Sequence, residues 1–231
     1  MFLNGMLPRN CDLWIVHHTL GTVVAETSGG QQSGVICFTP GTRIQTGDGA
    51  RLIEDLREGD TVQTKDNGLQ PLRWIGQRRM SGARLFAMPK LRPIRISGGA
   101  LGVDSPDEDL LVSPEHRMLI KGAVAQSLFN TSEVLVTAKD LIDGTTITVD
   151  MQLREVTYIH VLLDEHQILM ANGLVSESFH PASAAFASLD QKDRKRLLSE
   201  YPELEYDPHT YGSFARRTLS LSEAAIMRHA A

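Results

Sequence analysis

The chain has 231 residues, a net charge of −5, 42% hydrophobic residues and 22% charged residues. These values are typical of one ordinary globular domain, with or without appendages. The acidic balance argues against a nucleic-acid-binding protein, which normally carries a basic face. No apolar run approaches the roughly 18 residues of a transmembrane helix, so we expect a soluble chain with no membrane partner.

The first 36 residues are predicted to form a leader that ends in a linker. Residues 13–16 and 21–25 have the β-branched pattern of two short strands. His17 and His18, in the turn between them, are interpreted as ordinary histidines, because a metal site would need more partners. Residues 28–34 are rich in Gly, Ser and Gln, like flexible linkers. The N-terminus lacks the features of a signal peptide, which leaves the compartment open, export by a non-classical route included.

A cysteine followed by a Pro-Gly turn marks the start of the next unit. Cys37 precedes Phe38-Thr39-Pro40-Gly41, and the one other cysteine is Cys11. Pro40 has no N–H and Gly41 tolerates positive φ, so a turn follows the sulfur at once. Two cysteines so far apart form neither a disulfide framework nor a CxxC metal site. We interpret Cys37 as a nucleophile whose target is the peptide bond between Ile36 and itself.

Short strand-like segments with turn signals between them follow the cysteine and predict an all-β fold. Asn67-Gly68 predicts a hairpin with a type I′ turn. From Pro181 the pattern becomes helical, with a helix predicted over 190–201 that has Asp190 as its N-cap, and a second over 219–229. The predicted strands include 43–46, 50–53, 61–64, 72–76, 83–88 and 93–96.

Two apolar runs flank a kink at Ser113-Pro114-Glu115-His116. Ser113 and His116 are separated by three positions across a proline, which turns both side chains toward one side of a tight turn. A Ser-x-x-His alone is weak evidence, since a histidine in a turn is more often structural. The presence of Cys37 in the same chain is what strengthens the case for a catalytic role of this motif.

Four motifs in the same order are similar to those of the Hedgehog/intein (Hint) autoprocessing domain. Residues 37–42 resemble its opening, and residues 112–116 resemble its Thr-x-x-His motif with serine in place of threonine. Residues 54–62 resemble its Gly-Asp-x-Val element. Residues 158–179 resemble its closing segment, where Asp164-Glu165-His166 is interpreted as the turn of the final hairpin. The resemblance is nearest to bacterial Hint proteins that carry a helical tail.

The resemblance implies a horseshoe-like β fold of two pseudo-symmetric halves and a chain in three parts. Residues 1–36 would be a leader, 37–180 the Hint domain and 181–231 a helical extension. No cofactor or metal is implied. The substrate would be the chain's own N-terminal segment, and we expect a monomer.

The resemblance also implies a role for each site residue. Cys37 would attack the carbonyl of Ile36 and convert the amide into a thioester. His116 would protonate the departing nitrogen, and Ser113 would hold that nitrogen or orient the imidazole. His160 lies near the place where inteins often have a catalytic aspartate. It is a candidate to assist proton transfer, although a structural, cross-strand histidine is the more frequent case.

The sequence departs from both well-known branches of the family in how the thioester would be resolved. Glu177 and Ser178 stand where inteins have His-Asn, so full splicing is not expected. Residues 74–77 offer glutamine where Hedgehog proteins have an aspartate, so sterol transfer is not expected either. Water or a small nucleophile remains, giving autocatalytic cleavage at Ile36–Cys37. The alternatives are an inactive Hint fold kept as a binding or structural module and a cysteine hydrolase that acts on other molecules.

Overall fold

The structure is a computed structural model that describes residues 36–183, 186 and 189–230. The predictions made for residues 1–35, including the two strands, the linker, His17 and His18, lie outside the described residues. Strands dominate the part of the chain that is described, and helices are few and short. The predicted all-β class is therefore confirmed.

The described residues form fourteen short strands and four α-helices, joined by turns and single 3₁₀ turns. The strands are β1 (Arg43–Thr46), β2 (Gly49–Leu52), β3 (Thr61–Thr64), β4 (Gly68–Pro71), β5 (Trp74–Met80), β6 (Ile94–Ile96), β7 (Leu110–Val112), β8 (Arg117–Lys121), β9 (Glu133–Thr137), β10 (Ile147–Val149), β11 (Val156–Leu162), β12 (Ile168–Ala171), β13 (Leu174–Glu177) and β14 (Arg217–Thr218). The helices are α1 (Gly82–Ala87), α2 (Ala123–Phe129), α3 (Gln191–Glu200) and α4 (Leu221–Ala230).

The strands form three sheets. The largest has the order β14-β9-β8-β13-β12-β1-β3-β4, with β2 paired to β1. A second sheet has the order β10-β6-β7, and β11 pairs with β5 to form the third. The β5–β11 pair is antiparallel over its whole length, from Val156 opposite Met80 to Leu162 opposite Trp74. Ile159 and Val161 of this pair join the main core with residues of the larger sheets, because alternate strand residues face the same side.

One predicted strand is wrong. Residues 83–87 belong instead to α1, whose N-cap is Ser81 and whose C-cap is Met88. The Ser81 hydroxyl accepts a hydrogen bond from the Arg84 N–H at 3.4 Å. Such a cap satisfies a backbone donor that a helix start leaves unpaired, and it outweighed the strand-like residues that follow. Helix α2 was not predicted.

Two predicted turns also differ from the structure. The β3–β4 hairpin exists, but Thr64 lies opposite Gly68, so its loop has three residues and not the two of a type I′ turn. The Asn-Gly pair with both φ angles positive is Asn172-Gly173, with φ of 46° and 71°. It joins β12 to β13 and makes the final hairpin. Residues 164–166 instead link β11 to β12, because β11 pairs with β5.

The helical prediction for the extension is accurate at both helices. The Asp190 carboxylate accepts the Lys192 N–H at 3.0 Å and begins α3 as the predicted N-cap. Helix α4 begins two residues later than predicted. Strand β14, which was not predicted, lies parallel to β9 at the edge of the largest sheet. Among the described residues, no helix is long and apolar enough to cross a membrane.

Candidate active site

Cys37 is held in place by the residue that follows it. Phe38 forms antiparallel bridges to Val112, at the end of β7, and to Ile159, in the middle of β11. The Phe38 N–H donates to the Ile159 carbonyl at 3.0 Å, and the Ile159 N–H donates back to Phe38 at 2.9 Å. These bonds fix Cys37 beside the end of β7 and the middle of β11. The predicted turn follows, since Thr42 N–H donates to Thr39 C=O and the glycine at position 41 has φ of 89°.

The peptide bond between Ile36 and Cys37 has a protein partner on each side. Its N–H donates to the Ser113 hydroxyl at 2.9 Å. Its carbonyl oxygen lies 2.9 Å from Nδ1 of His160. A carbonyl can only accept, so this contact places the proton of the neutral imidazole on Nδ1 and leaves Nε2 as an acceptor. Ser113 thus hydrogen-bonds to the nitrogen of this fully buried amide, and His160 hydrogen-bonds to its oxygen.

The thiol lies against the same imidazole. Cys37 Sγ is 3.4 Å from Nδ1 and 3.4 Å from Nε2 of His160. A sulfur equally far from both nitrogens lies on the plane that bisects them, so neither contact is a directed hydrogen bond. A small rotation of the thiol would bring its proton toward Nε2, the nitrogen that can accept it. One histidine therefore contacts both the nucleophile and the carbonyl that it would attack.

Burial keeps both members of this pair neutral. Cys37 and His160 have exposed fractions of 0% and 1%. Burial raises the pKa of the Cys37 thiol well above its ordinary value, although Ser113 and Arg78 act in the opposite direction. Burial likewise lowers the pKa of His160 to about 3, against a smaller upward effect of the Ile36 carbonyl. The resting site is a neutral thiol beside a neutral imidazole, since the low dielectric disfavours both charged forms.

His116 comes from the turn predicted in the sequence. The His116 N–H donates to the Ser113 carbonyl at 3.0 Å and closes that turn, and the Ser113 N–H donates to Cys37 C=O at 3.0 Å. The His116 ring packs edge-on against Phe38, with ring centres 4.4 Å apart. Neither ring nitrogen makes a hydrogen bond within the described residues. The turn therefore brings Ser113 into direct contact with the peptide bond and packs His116 against Phe38, the residue after Cys37.

The protonation of His116 is set mainly by burial. Burial lowers its pKa to about 4, while the Glu177 carboxylate and the Cys37 backbone act in the opposite direction. The ring is thus close enough to the Cys37 backbone for that backbone to favour the protonated form, without the geometry of a hydrogen bond. A buried imidazole with no hydrogen-bond partner lowers the stability of the fold, and a catalytic role is one explanation for keeping it. This makes His116 a good candidate for a group that acts on the peptide bond.

A buried carboxylate anchors the strand that follows His116. Glu177, at the end of β13, accepts the Arg117 backbone N–H at 2.9 Å and lies 3.2 Å from the Arg117 guanidinium. His166 Nε2 lies 3.2 Å from the same carboxylate. Burial alone would raise the pKa of the Glu177 carboxyl, but Arg117 and His166 hold it below its usual value. Because this anion is ionised and close, it favours protonation of His116 more than any other group does.

Aromatic side chains close the other side of the site. The Phe179 ring lies edge-on to His160, with centres 5.0 Å apart, and Trp74 lies 6.1 Å from the same ring. Gly76 lies opposite His160 in the β5–β11 pair. A Cβ at Gly76 would be only 2.1 Å from the Trp74 ring, so the absence of a side chain there lets the indole lie against the strand. These neighbours shield the His160 ring from solvent.

Of the four residues singled out from the sequence, Cys37, Ser113 and His160 contact one another around one peptide bond. The fourth, His116, packs against the next residue, Phe38. Sequence reasoning gave Glu177 no role beyond marking the absence of a splicing residue, and it missed Trp74 and Phe179 as walls of the site. No local signal marks these residues, because their contacts join segments far apart in sequence. Within the described residues, no group of three or more His, Cys, Asp or Glu is placed to hold a metal ion.

The comparisons with known proteins define the class. The sequence profile of the Hint domain matches residues 36–183. An intein-like domain from Clostridium thermocellum is a structural neighbour, at 14% identity and a TM-score of 0.44, over 63% of this chain and 99% of that one. The MchDnaB-1 intein matches at 11% identity and a TM-score of 0.39, over 62% and 99%. The gp41-1 intein matches at 15% identity and a TM-score of 0.37, over 61% and 96%.

A search of curated proteins finds no match to this chain. The fold and the site define a β-rich domain in which a cysteine directly follows a peptide bond that is hydrogen-bonded at both its nitrogen and its oxygen. Because the Hint profile matches more than half of the chain, the chain belongs to the Hint domain family.

Proposed function

We propose that this domain cleaves its own backbone between Ile36 and Cys37 through a thioester. The observation that carries the proposal is the grip on that bond: Ser113 holds its nitrogen, and His160 contacts both its oxygen and the attacking sulfur. A structural cysteine needs none of these three contacts. Preorganised donors at a carbonyl that is about to gain charge are a large source of catalysis.

In the first step, His160 Nε2 takes the thiol proton as Cys37 Sγ attacks the Ile36 carbonyl carbon. The new C–S bond moves an electron pair onto the carbonyl oxygen. That oxygen lies against Nδ1–H of the same ring, now an imidazolium, and is stabilised by a charge-assisted hydrogen bond. The neutral imidazole thus acts as a base and then as the donor to the oxyanion.

In the second step, the C–N bond breaks and the nitrogen of Cys37 gains a proton. We assign that proton to the imidazolium form of His116, which takes it from bulk water before the reaction and is favoured by the Cys37 backbone. The oxyanion reforms the carbonyl as the nitrogen leaves. Ser113 keeps the nitrogen in position while its geometry changes from planar to pyramidal. The products are a thioester on Cys37 Sγ and a free amine on the same residue, and His160 then loses its extra proton to water.

The thioester would be resolved by water or by a small nucleophile. Glu177 and Ser178 replace the pair that cyclises in inteins, and Glu177 is already committed to Arg117 and His166. The chain's upstream segment is the acyl group, so each molecule reacts once. The proposed activity is therefore single-turnover cleavage and not splicing.

A second candidate is an inactive Hint fold that serves as a binding or structural module. The burial of Cys37 favours it, because a thiol whose pKa is raised well above its ordinary value is a poor nucleophile. The same burial argues against a hydrolase acting on other molecules, since the chain's own Ile36 occupies the site.

The test is incubation of the purified chain with hydroxylamine or dithiothreitol, followed by gel electrophoresis and mass spectrometry. We expect a fragment that begins at Cys37, formed equally by the Cys11→Ala variant and absent from Cys37→Ala. A folded wild-type chain that stays whole under both reagents would contradict cleavage and support the module.

A further inference from the structure

The side chain before the nucleophile is enclosed in a pocket of its own. Ile36 has an exposed fraction of 1%. It belongs to one buried cluster with six other side chains, namely Trp74, Leu162, Phe179, Leu189, Leu197 and Leu204. The next residue, Cys37, belongs to a different cluster with Met80, Leu85, Val156 and Tyr158. Residue 36 is thus packed separately from the reacting thiol.

Half of this pocket comes from outside the strands of the domain. Leu189, Leu197 and Leu204 lie in the C-terminal extension, before, within and after α3. Phe186, Leu198, Tyr201 and Tyr211 of the same extension pack against the cluster from outside. The extension therefore presents an apolar face to this pocket.

Polar contacts fix that face on strand β5. The Asp193 carboxylate of α3 accepts the Gln77 N–H at 2.7 Å. Arg196 forms an ion pair with Glu58 at 2.9 Å and also donates to the Ile75 carbonyl. Arg78 donates to the Leu189 carbonyl at 3.2 Å. Since two of these four contacts are made to backbone atoms of β5, they set the position of the helix and not only its attachment.

We propose that the C-terminal extension forms the acyl pocket of the domain and selects a branched aliphatic residue immediately before Cys37. This inference rests on the proposed cleavage and adds its specificity. A smaller residue would leave a void in a close-packed cluster, and a larger one would displace α3. A carboxylate would lose its water and gain no partner among apolar side chains. Substrates of the reaction are then upstream segments that end in Ile, or in Val or Leu at lower rate.

The first experiment measures the pocket without requiring any cleavage. In a Cys37→Ala background, amide hydrogen exchange is compared for Ile36→Ala and for Leu119→Ala, a matched loss in a separate buried cluster. We expect faster exchange in α3 for Ile36→Ala, with α4 unchanged, and no selective change in α3 for Leu119→Ala. Equal protection of α3 in both variants would overturn the pocket.

The second experiment measures specificity in the active chain. We expect hydroxylamine cleavage of Ile36→Phe and Ile36→Asp to be slower than wild type by about tenfold or more, a discrimination that apolar pockets commonly reach. Leu197→Ala should enlarge the pocket and reduce the penalty of Ile36→Phe. Leu219→Ala, also buried in the extension but in another cluster, should not reduce it. An undiminished penalty in Leu197→Ala would overturn the proposal.

The two experiments separate the two claims. If wild-type chain does not cleave at all, the proposed function fails, and the exchange measurement still decides whether the extension encloses residue 36. If wild-type chain cleaves and every residue at position 36 reacts equally fast, the function stands and the pocket fails.

Discussion

At the scale of single residues, His160 carries more of the proposed chemistry than its sequence context indicates. It contacts Sγ of Cys37 and the oxygen of Ile36 at once. A position where general acid–base help is usually assigned to an aspartate is here filled by a ring that is neutral at rest, with a pKa of about 3. A neutral imidazole can accept a proton and donate one, which a carboxylate cannot do.

We expect His160→Gln to slow hydroxylamine-dependent cleavage by about 10²–10⁴, the usual contribution of a positioned acid–base group. Glutamine can still donate to the Ile36 carbonyl but cannot take the thiol proton. The rate is measured from the fragment that begins at Cys37, and circular dichroism checks that the variant is folded. His209→Gln, on the exposed His209, is the matched control. Equal rates for the two variants would remove His160 from the mechanism.

The proposed role of His116 as an acid predicts that the cleavage rate increases as the pH falls. Its pKa of about 4 leaves it mostly neutral near pH 7, and the protonated fraction grows as the pH falls. At saturating hydroxylamine, thioester formation limits the rate. We then expect the rate to increase about tenfold for each unit by which the pH falls, from about pH 8 to about pH 6. His116→Gln should abolish this dependence. A wild-type rate that rises with pH would instead indicate that thiolate formation is limiting.

At the scale of elements, the turn between β7 and β8 holds Cys37 through two hydrogen bonds of one residue, Ser113. Ser113 accepts the N–H of the peptide bond and its own N–H donates to Cys37. We expect Ser113→Ala to lower the free energy of unfolding by about 1–3 kcal/mol, because it leaves a buried donor unpaired. Urea unfolding in a Cys37→Ala background measures this without interference from cleavage.

Two further serine variants control for the loss of a hydroxyl. Ser113→Thr keeps the acceptor and narrows its rotamers, so it should stay close to wild-type stability. Ser127→Ala removes an exposed hydroxyl from α2, and we expect a change within about 0.5 kcal/mol. Ser113→Ala unfolding at the same urea concentration as Ser127→Ala would contradict the proposed contact.

The sequence carries local information well and long-range information poorly. The turns at Pro40-Gly41 and at Ser113–His116 were predictable because proline and glycine limit the backbone over a few residues. Helix α3 was predictable from its Asp190 cap, whereas α1 was read as a strand because Ser81 was not recognised as a cap. The pairing of β11 with β5 joins segments some eighty residues apart and no local pattern encodes it. That pairing is what places His160.

At the scale of the whole molecule, the two neutral histidines of the site contribute to the dependence of stability on pH. In the unfolded chain His116 and His160 titrate near 6.5, but in the fold their pKa values are about 4 and about 3. Between about pH 6 and pH 4 the unfolded chain therefore binds more protons than the folded chain. The free energy of unfolding falls as the pH falls, by about 1.4 kcal/mol per pH unit for each histidine.

Urea titrations of the Cys37→Ala chain at a series of pH values measure this slope. We expect His116→Gln to flatten it by the contribution of one proton. Leu119→Ala removes buried surface without removing a titratable group, so it should lower stability by a similar amount at each pH and leave the slope unchanged. A slope unaffected by His116→Gln would contradict the neutral, buried state of that ring.

The most direct measurement of the central claim is the chemical identity of the two new chain ends. Wild-type chain is treated with hydroxylamine, and both fragments are analysed by mass spectrometry. A thioester predicts an upstream fragment that ends in the hydroxamate of Ile36, and a downstream fragment that begins with a free amine and a free thiol at Cys37. A plain carboxylate at Ile36 that forms just as fast in Cys37→Ala would contradict the account, because the bond would then be broken without the sulfur.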